Sequence, residues 1–155
     1  LEEEFSGMAA TLKTLVESNE NTFVFENNIP NQCQVNSDVV KIHQLLYNAI
    51  GNANKFTTKG TIKLRCNLQE YNKNQWNLAV EVQDTGKGID KNDLEHIFDN
   101  FYQGVVKEKV HNLGAGLGLN LCKDLVELFQ GKIKVSSELY KGTTVAFDLI
   151  LDKYN

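Results

Sequence analysis

The sequence predicts an α+β domain of two layers, a mixed, largely antiparallel sheet covered by helices on one face, and three observations predict it. Apolar residues recur at the three-to-four spacing of amphipathic helices in residues 5–16, 39–56 and 117–129. Runs with strand character, bounded by turn residues, fall at 22–27, 61–69, 76–84, 132–138 and 143–151. Four of those five runs sit in pairs separated only by short turns, as in hairpins, so helices and hairpins share one core. The chain has 155 residues, 41% apolar and 23% charged, enough to bury about two-thirds of its unfolded surface in a single domain, residues 1–155.

The elements follow in order. Phe5, Met8, Ala9, Leu12, Leu15 and Val16 make the apolar face of the first helix, and "TFVFEN" reads as a strand running into the polar turn "NNIPNQ" around the single proline, Pro30. Asp38 is placed to cap a long helix whose stripe is Val39, Ile42, Leu45, Leu46, Ala49, Ile50 and Ala53. "TTKG" breaks that helix. Strands at 61–69 and 76–84 follow, joined by "EYNKNQ", then a short helix at 92–98. Residues 103–113 carry little periodicity and read as a mobile loop. The helix from 117 to 129 stops at Gly131, and "LYKG" turns between the last two strands. No internal repeat or low-complexity tract interrupts the pattern.

Composition narrows the function classes. A net charge of −4 without a dense Lys/Arg stripe argues against nucleic acid or an anionic membrane surface as partner. Cys33, Cys66 and Cys122 are odd in number and form no C-x-x-C pair, so neither a disulfide framework nor a zinc site is indicated, and a reducing compartment is expected. His43, His96 and His111 show no metal-ligand spacing. No apolar run approaches the roughly 20 residues that span a bilayer.

Three stretches do not fit a purely structural reading. "GAGLGLNLCK", residues 114–123, puts three glycines into five positions and then enters a helix. Each interior glycine costs a helix roughly 1 kcal/mol against alanine. Glycine allows close backbone approach, and a helix start presents unpaired N–H groups, a place suited to phosphate as well as to a simple flexible turn. In "NAIGNANKFT", Asn48, Asn52 and Lys55 share one helix face at i, i+4 and i+7. They read either as a wet face or as amide ligands for Mg²⁺ beside a lysine for phosphate. In "VEVQDTGKGI", a strand ends at Asp84 and enters a turn through Gly86 and Gly88. An aspartate there can cap the turn, or, in a pocket, accept from an adenine amine.

Together the motifs resemble those of the ATP-binding catalytic domain of sensor histidine kinases, a branch of the gyrase, chaperone, histidine kinase and MutL (GHKL) superfamily. "NAIGNANKFT" is similar to the N box, "DTGKGI" to the first glycine box, "IFDNFYQ" to the F box, "GAGLGL" to the second glycine box and "KGTTVAF" to the last strand motif. The resemblance implies a Bergerat-type fold with a flexible ATP lid, and ATP and Mg²⁺ as ligands. It implies that Asn52 and Asn48 serve the metal, that Asn48 and Lys55 serve the phosphates, and that Asp84 takes the adenine amine. Gly86, Gly88 and Ile89 would close around the base. Gly114, Gly116, Leu117, Gly118 and Leu119 would form the hinge of the lid and bring helix-start N–H groups to the triphosphate, with residues 103–113 as the lid. Phe98, Phe101 and Tyr102 would anchor its near end, Phe98 as a core residue and Tyr102 toward the nucleotide, and Thr143 or Thr144 would reach the adenine site. Ala115, where relatives often carry a hydroxyl, and Asn54, where they are usually apolar, depart from the pattern and touch on the detail of phosphate contact.

The resemblance also separates kinase from hydrolase. ATPases of the superfamily place a glutamate one helical turn before the metal asparagine; Asn48 stands there instead, and an amide cannot take a proton from water. The expectation is a protein-histidine kinase domain that donates the γ-phosphoryl group to a histidine on a separate dimerising phosphoacceptor domain, with a response regulator receiver downstream. No histidine of this chain lies in the acceptor context, so the chain alone is not expected to phosphorylate itself. A cytoplasmic location is expected, including the cytosolic part of a membrane-anchored sensor. The alternatives are a degenerate kinase-like scaffold, distinguished by its failure to bind nucleotide, and a GHKL ATPase, distinguished by steady phosphate release. A serine kinase of the anti-sigma-factor branch would be told apart by the acid stability of its product.

Overall fold

The computed structural model describes residues 1–98 and 113–154, with backbone only for residues 113–118. The element order is α1 (Glu2–Glu17), β1 (Thr22–Asn28), β2 (Val35–Asn36), α2 (Val39–Phe56), β3 (Thr61–Asn72), β4 (Gln75–Asp84), α3 (Lys91–Leu94), α4 (Leu113–Leu128), β5 (Ile133–Glu138) and β6 (Gly142–Lys153). The sheet runs β1-β3-β4-β6-β2, with β5 also paired to β6. Only β1 and β3 pair in parallel; the rest of the ladder is antiparallel.

Each long element forms where its pattern dictates. Glu2, Glu3 and Glu4 place negative charge in the first turn of α1, where the helix dipole favours it. Asp38 accepts from the backbone N–H of Lys41 at 3.2 Å and pairs with its ammonium at 2.8 Å, capping α2 as its position predicts. β3 alternates strictly, with Ile62, Leu64, Cys66 and Leu68 buried. They join Leu78, Val80, Val82, Val145, Phe147, Leu149 and Leu151 beneath the helices. Cys66 and Cys122 are core residues whose thiols burial pushes up to about 12, so they stay unreactive near neutrality. The opposite face of the sheet is polar: Glu26 receives Arg65 at 2.6 Å and Lys63 at 3.3 Å, which holds its carboxyl below the usual range.

Three details differ from the sequence reading. α3 covers four residues instead of 92–98, because after Leu94 the chain continues in turns. α4 begins at Leu113, four residues before the expected start, so the glycines lie in its first turns. β2 is a two-residue strand without periodicity, formed because Val35 and Asn36 find Lys153 and Asp152 on the end of β6.

A buried amide network ties the end of α1 to the end of α2. Asn21, 3% exposed, donates through Nδ2 to Asn54 Oδ1 at 2.9 Å and to the Thr57 carbonyl at 2.8 Å, and accepts from the Gly60 N–H at 3.0 Å. Asn54 donates to the Leu15 carbonyl at 3.3 Å. Asn54 therefore belongs to this core network on the α1 side of the helix, not to phosphate contact. An unsatisfied buried polar group costs about 1–3 kcal/mol. Asn21→Ala strands several at once, and a loss of about 3 kcal/mol is expected, read as a lowered urea midpoint with unchanged slope.

Candidate functional site

The last turn of α2 and the turn after β4 meet at one end of the sheet. The Phe56 carbonyl accepts from the Lys87 N–H at 3.3 Å, and a methyl on Gly86 would strike that carbonyl and the Thr57 hydroxyl. Gly86 is thus required by close approach. Gly88 is required twice, since it has a φ of +72° and lies directly against the Glu138 carbonyl of β5. The Tyr140 N–H donates to the Lys87 carbonyl at 2.6 Å and the Ile89 N–H to Ser137 Oγ at 2.8 Å, so the turn is clasped between α2 and the β5–β6 hairpin.

Asp84 closes β4 at the base of this clasp, 8% exposed. Its Oδ1 accepts from the Gly86 N–H at 2.9 Å and the Thr143 N–H at 3.3 Å, which leaves Oδ2 with no backbone partner. Burial pushes its carboxyl above the usual aspartate range; the two backbone donors and the nearby Thr57 hydroxyl pull it back in part. Oδ1 thus fills the turn-capping role that the position of Asp84 predicts.

Strand alternation decides between the two threonines. Asp84 pairs with Thr143 and Gln83 with Thr144. Thr143 therefore shares the helix-covered face with Asp84, and its hydroxyl lies 2.8 Å from that of Ser137. Thr144 points to the other face of the sheet, with exposed Gln83, and cannot reach the same site as Asp84.

Asn48, Asn52 and Lys55 lie on α2 approaching this end, the two asparagines half-buried and Lys55 exposed. Lys55 and Lys87 hold their ammonium groups 5.8 and 4.7 Å from the Phe56 ring centroid, which concentrates positive charge beside the clasp. Asn52 Nδ2 is buried with no hydrogen-bond partner. Which amide atom points there is decided by its neighbours, and here no neighbour claims the nitrogen. Among the described residues no group of three His, Cys, Asp or Glu could hold a metal. A cation at α2 would have to take amide oxygens and complete its shell from water and phosphate, which is the coordination Mg²⁺ favours.

Of the remaining sequence candidates, Leu119 is buried in α4, and Gly114, Gly116, Leu117 and Gly118 belong to the backbone of its first turns. The first four N–H groups of a helix lack intrahelical partners, and of these candidates Gly114 and Gly116 fall within that stretch, while Leu117, Gly118 and Leu119 lie beyond it because α4 starts earlier than expected. Phe98 packs against the core, with Lys123 Nζ 5.6 Å from its ring centroid, in keeping with its core reading. Phe101, Tyr102 and the lid residues up to 112 lie outside the described residues. Sequence reasoning missed Thr57 and Ser137. Thr57 stands in the quoted "NKFT", and Ser137 follows Val135 by two on an alternating strand, the one signal that places its hydroxyl inward.

Comparison with known proteins agrees with this fold. The family described as histidine kinase-, DNA gyrase B- and HSP90-like ATPase matches residues 37–153. The autoinducer 2 sensor kinase/phosphatase LuxQ of Vibrio vulnificus is 39% identical over 133 residues, 85% of this chain and 16% of that protein. Histidine protein kinase 1 of Candida albicans is 36% identical over 129 residues, 83% of this chain and 5% of its own length. The chain thus spans under one fifth of these relatives. Among solved structures, the nucleotide-free catalytic domain of the histidine kinase ThkA superposes with a TM-score of 0.73 at 25% identity, covering 96% of this chain and 91% of that one. Full-length ShkA in complex with AMPPNP shares the fold with a TM-score of 0.76 at 24% identity, covering 99% of this chain and 30% of that one. No helix among the described residues is long and apolar enough to cross a membrane. The chain belongs to the histidine kinase-, DNA gyrase B- and HSP90-like ATPase family.

Proposed function

We propose that residues 1–155 form one domain that binds ATP with Mg²⁺ and presents the γ-phosphoryl group to a histidine on a separate dimerising phosphoacceptor domain of the parent kinase, on the cytoplasmic side, with a response regulator receiver taking the phosphoryl group afterwards. The observation that carries this reading is the buried Asp84 carboxylate, fixed through one oxygen by Gly86 and Thr143 and without a backbone partner at the other, at the end of the sheet where α2 brings its amides and lysine.

In this reading Oδ2 of Asp84 accepts from the purine amine, while Gly86, Gly88 and Ile89 let the backbone close on the ring. Asn52, supported by Asn48, holds Mg²⁺, whose charge offsets that on the phosphate oxygens. Lys55 adds a positive charge toward the phosphates, and the free N–H groups of the first turn of α4, Gly114 and Gly116 among them, meet them at the helix start. Phosphoryl transfer asks for positioning and charge compensation more than for covalent chemistry. The Asn48 amide cannot accept a proton, so water is not activated there and the phosphoryl group is kept for an incoming imidazole.

The test mixes the chain with Mg²⁺, γ-labelled ATP and candidate dimerising domains. Acid-labile label on the dimerising domain, and none on the chain alone, is the expected result. Acid-stable label, label on the chain alone, or steady release of labelled phosphate without an acceptor would each overturn it.

A further inference from the structure

Thr57 is assigned no part in the site by the motifs, yet it is the one fully buried hydroxyl at the clasp. Its relative exposure is 0%, and its Oγ1 makes no hydrogen bond of ordinary geometry. Burying a hydroxyl without a partner costs on the order of 1–3 kcal/mol, and an apolar residue would avoid that. The residue is also held in place. It ends α2 in an extended conformation (φ −116°, ψ 132°), and its carbonyl accepts from Asn21 at 2.8 Å and from Asn19 at 3.4 Å. Its γ-carbon packs beside Gly60, so that Oγ1 is left facing the turn after β4.

What Oγ1 faces is the occupied oxygen of Asp84. The hydroxyl oxygen and Asp84 Oδ1 lie 2.7 and 3.0 Å from the point where a Cβ on Gly86 would stand, so both close on the same side of the Gly86 backbone, an approach that only the missing side chain allows. A hydroxyl can donate and a carboxylate can only accept. The hydroxyl is therefore placed to join the donors around Asp84 that the Gly86 and Thr143 N–H groups begin.

We propose that Thr57 is a positioning residue for purine recognition: its buried hydroxyl, held by the asparagine network and facing Asp84 across Gly86, fixes the carboxylate so that the other oxygen remains turned toward an exocyclic amine. The proposal rests on the nucleotide-binding reading above and deepens it. The hydroxyl also favours the charged form of Asp84, as its position requires.

The experiment measures Kd by calorimetry for two non-hydrolysable triphosphates, one carrying adenine and one carrying purine without the 6-amino group, with Mg²⁺ at several pH values. The chain itself, Thr57→Val, Thr57→Ala and Thr57→Ser are compared. Wild type is expected to prefer the adenine form. Thr57→Val is expected to lose about tenfold in affinity for the adenine form and less than twofold for the other, to lose adenine binding at a higher pH on acidification than wild type, and to be rescued to within threefold by Thr57→Ser. If the valine variant does not fold, Thr57→Ala is read in the same way. Equal losses for both ligands, or no loss for either, in a folded hydroxyl-free variant would overturn the proposal. A wild-type chain that binds neither ligand, or binds both equally, would instead overturn the nucleotide reading itself.

Discussion

Asp84→Asn is expected to weaken binding of a non-hydrolysable ATP analogue by about two orders of magnitude at neutral pH, while the thermal midpoint stays level or rises. The substitution separates two roles because the side chain uses its oxygens differently. An amide oxygen in the Oδ1 position still accepts from Gly86 and Thr143. The amide nitrogen in the Oδ2 position faces a purine amine with a second donor, and the charge is gone. Hydrogen bonds to charged groups contribute roughly 1.5–3 kcal/mol, and a buried donor left opposing another adds to the loss; about 2.7 kcal/mol is a hundredfold. Stability moves the other way. Because burial raises the carboxyl of Asp84 in the folded state, its charged form costs stability at neutral pH, and that cost is relieved as pH falls through its folded-state value. Adenine affinity has the opposite dependence, since protonated Asp84 no longer offers a free acceptor. The wild-type chain is expected to lose adenine affinity on acidification before ordinary aspartates titrate, and the Asn variant to show no such fall in that window. Calorimetric titrations at pH 7 and pH 5 check both. An Asn variant that binds like wild type would remove Asp84 from the site.

Asn52→Ala is expected to abolish the Mg²⁺-dependent part of nucleotide affinity and to lower phosphoryl transfer to an acceptor domain by about a hundredfold or more. Losing a group that only supports a metal ligand already costs 10–100-fold, and Asn52 is proposed as a ligand itself. The same change is expected to leave folding intact or slightly improved. Asn52 Nδ2 is a buried donor without a partner, so alanine removes an uncompensated polar atom. A wild-type urea midpoint together with a Mg²⁺-independent binding curve is the expected signature. Unaltered transfer would refute the metal assignment, and a large stability loss would show that the amide is structural.

The fold was legible where periodicity is long. α1, α2, β3, β4 and β6 follow directly from apolar spacing, and Asp38 announces the start of α2. β2 was not legible, because two residues have no period and Val35 is a strand residue only by virtue of its partner on β6. The start of α4 was misjudged because glycine opposes helix by intrinsic preference, while the α4 that follows is anchored by Leu119, Cys122, Leu125 and Val126 in the core. At the site, Asp84 and the two first-box glycines could be singled out because the strand ends at Asp84 and passes at once into a Gly-x-Gly turn. Thr143 and Thr144 could not be separated until the register with Asp84 was known. Asn54 was read as a phosphate-side oddity because local sequence does not reveal that Asn21, 33 positions earlier, is its partner.

The clamp on the Thr57 peptide has an evolutionary consequence. The same carbonyl that fastens the entry of β1 to the exit of α2 also holds the peptide whose hydroxyl looks toward Asp84. On the proposed roles, thermotolerance and purine preference draw on one shared anchor, whereas Asn52 leaves a buried donor unpaired and would serve the ligand. A population selected for heat resistance alone should keep Asn21 and Asn54 and discard Asn52, so the order in which these three asparagines are lost becomes a record of which pressure acted.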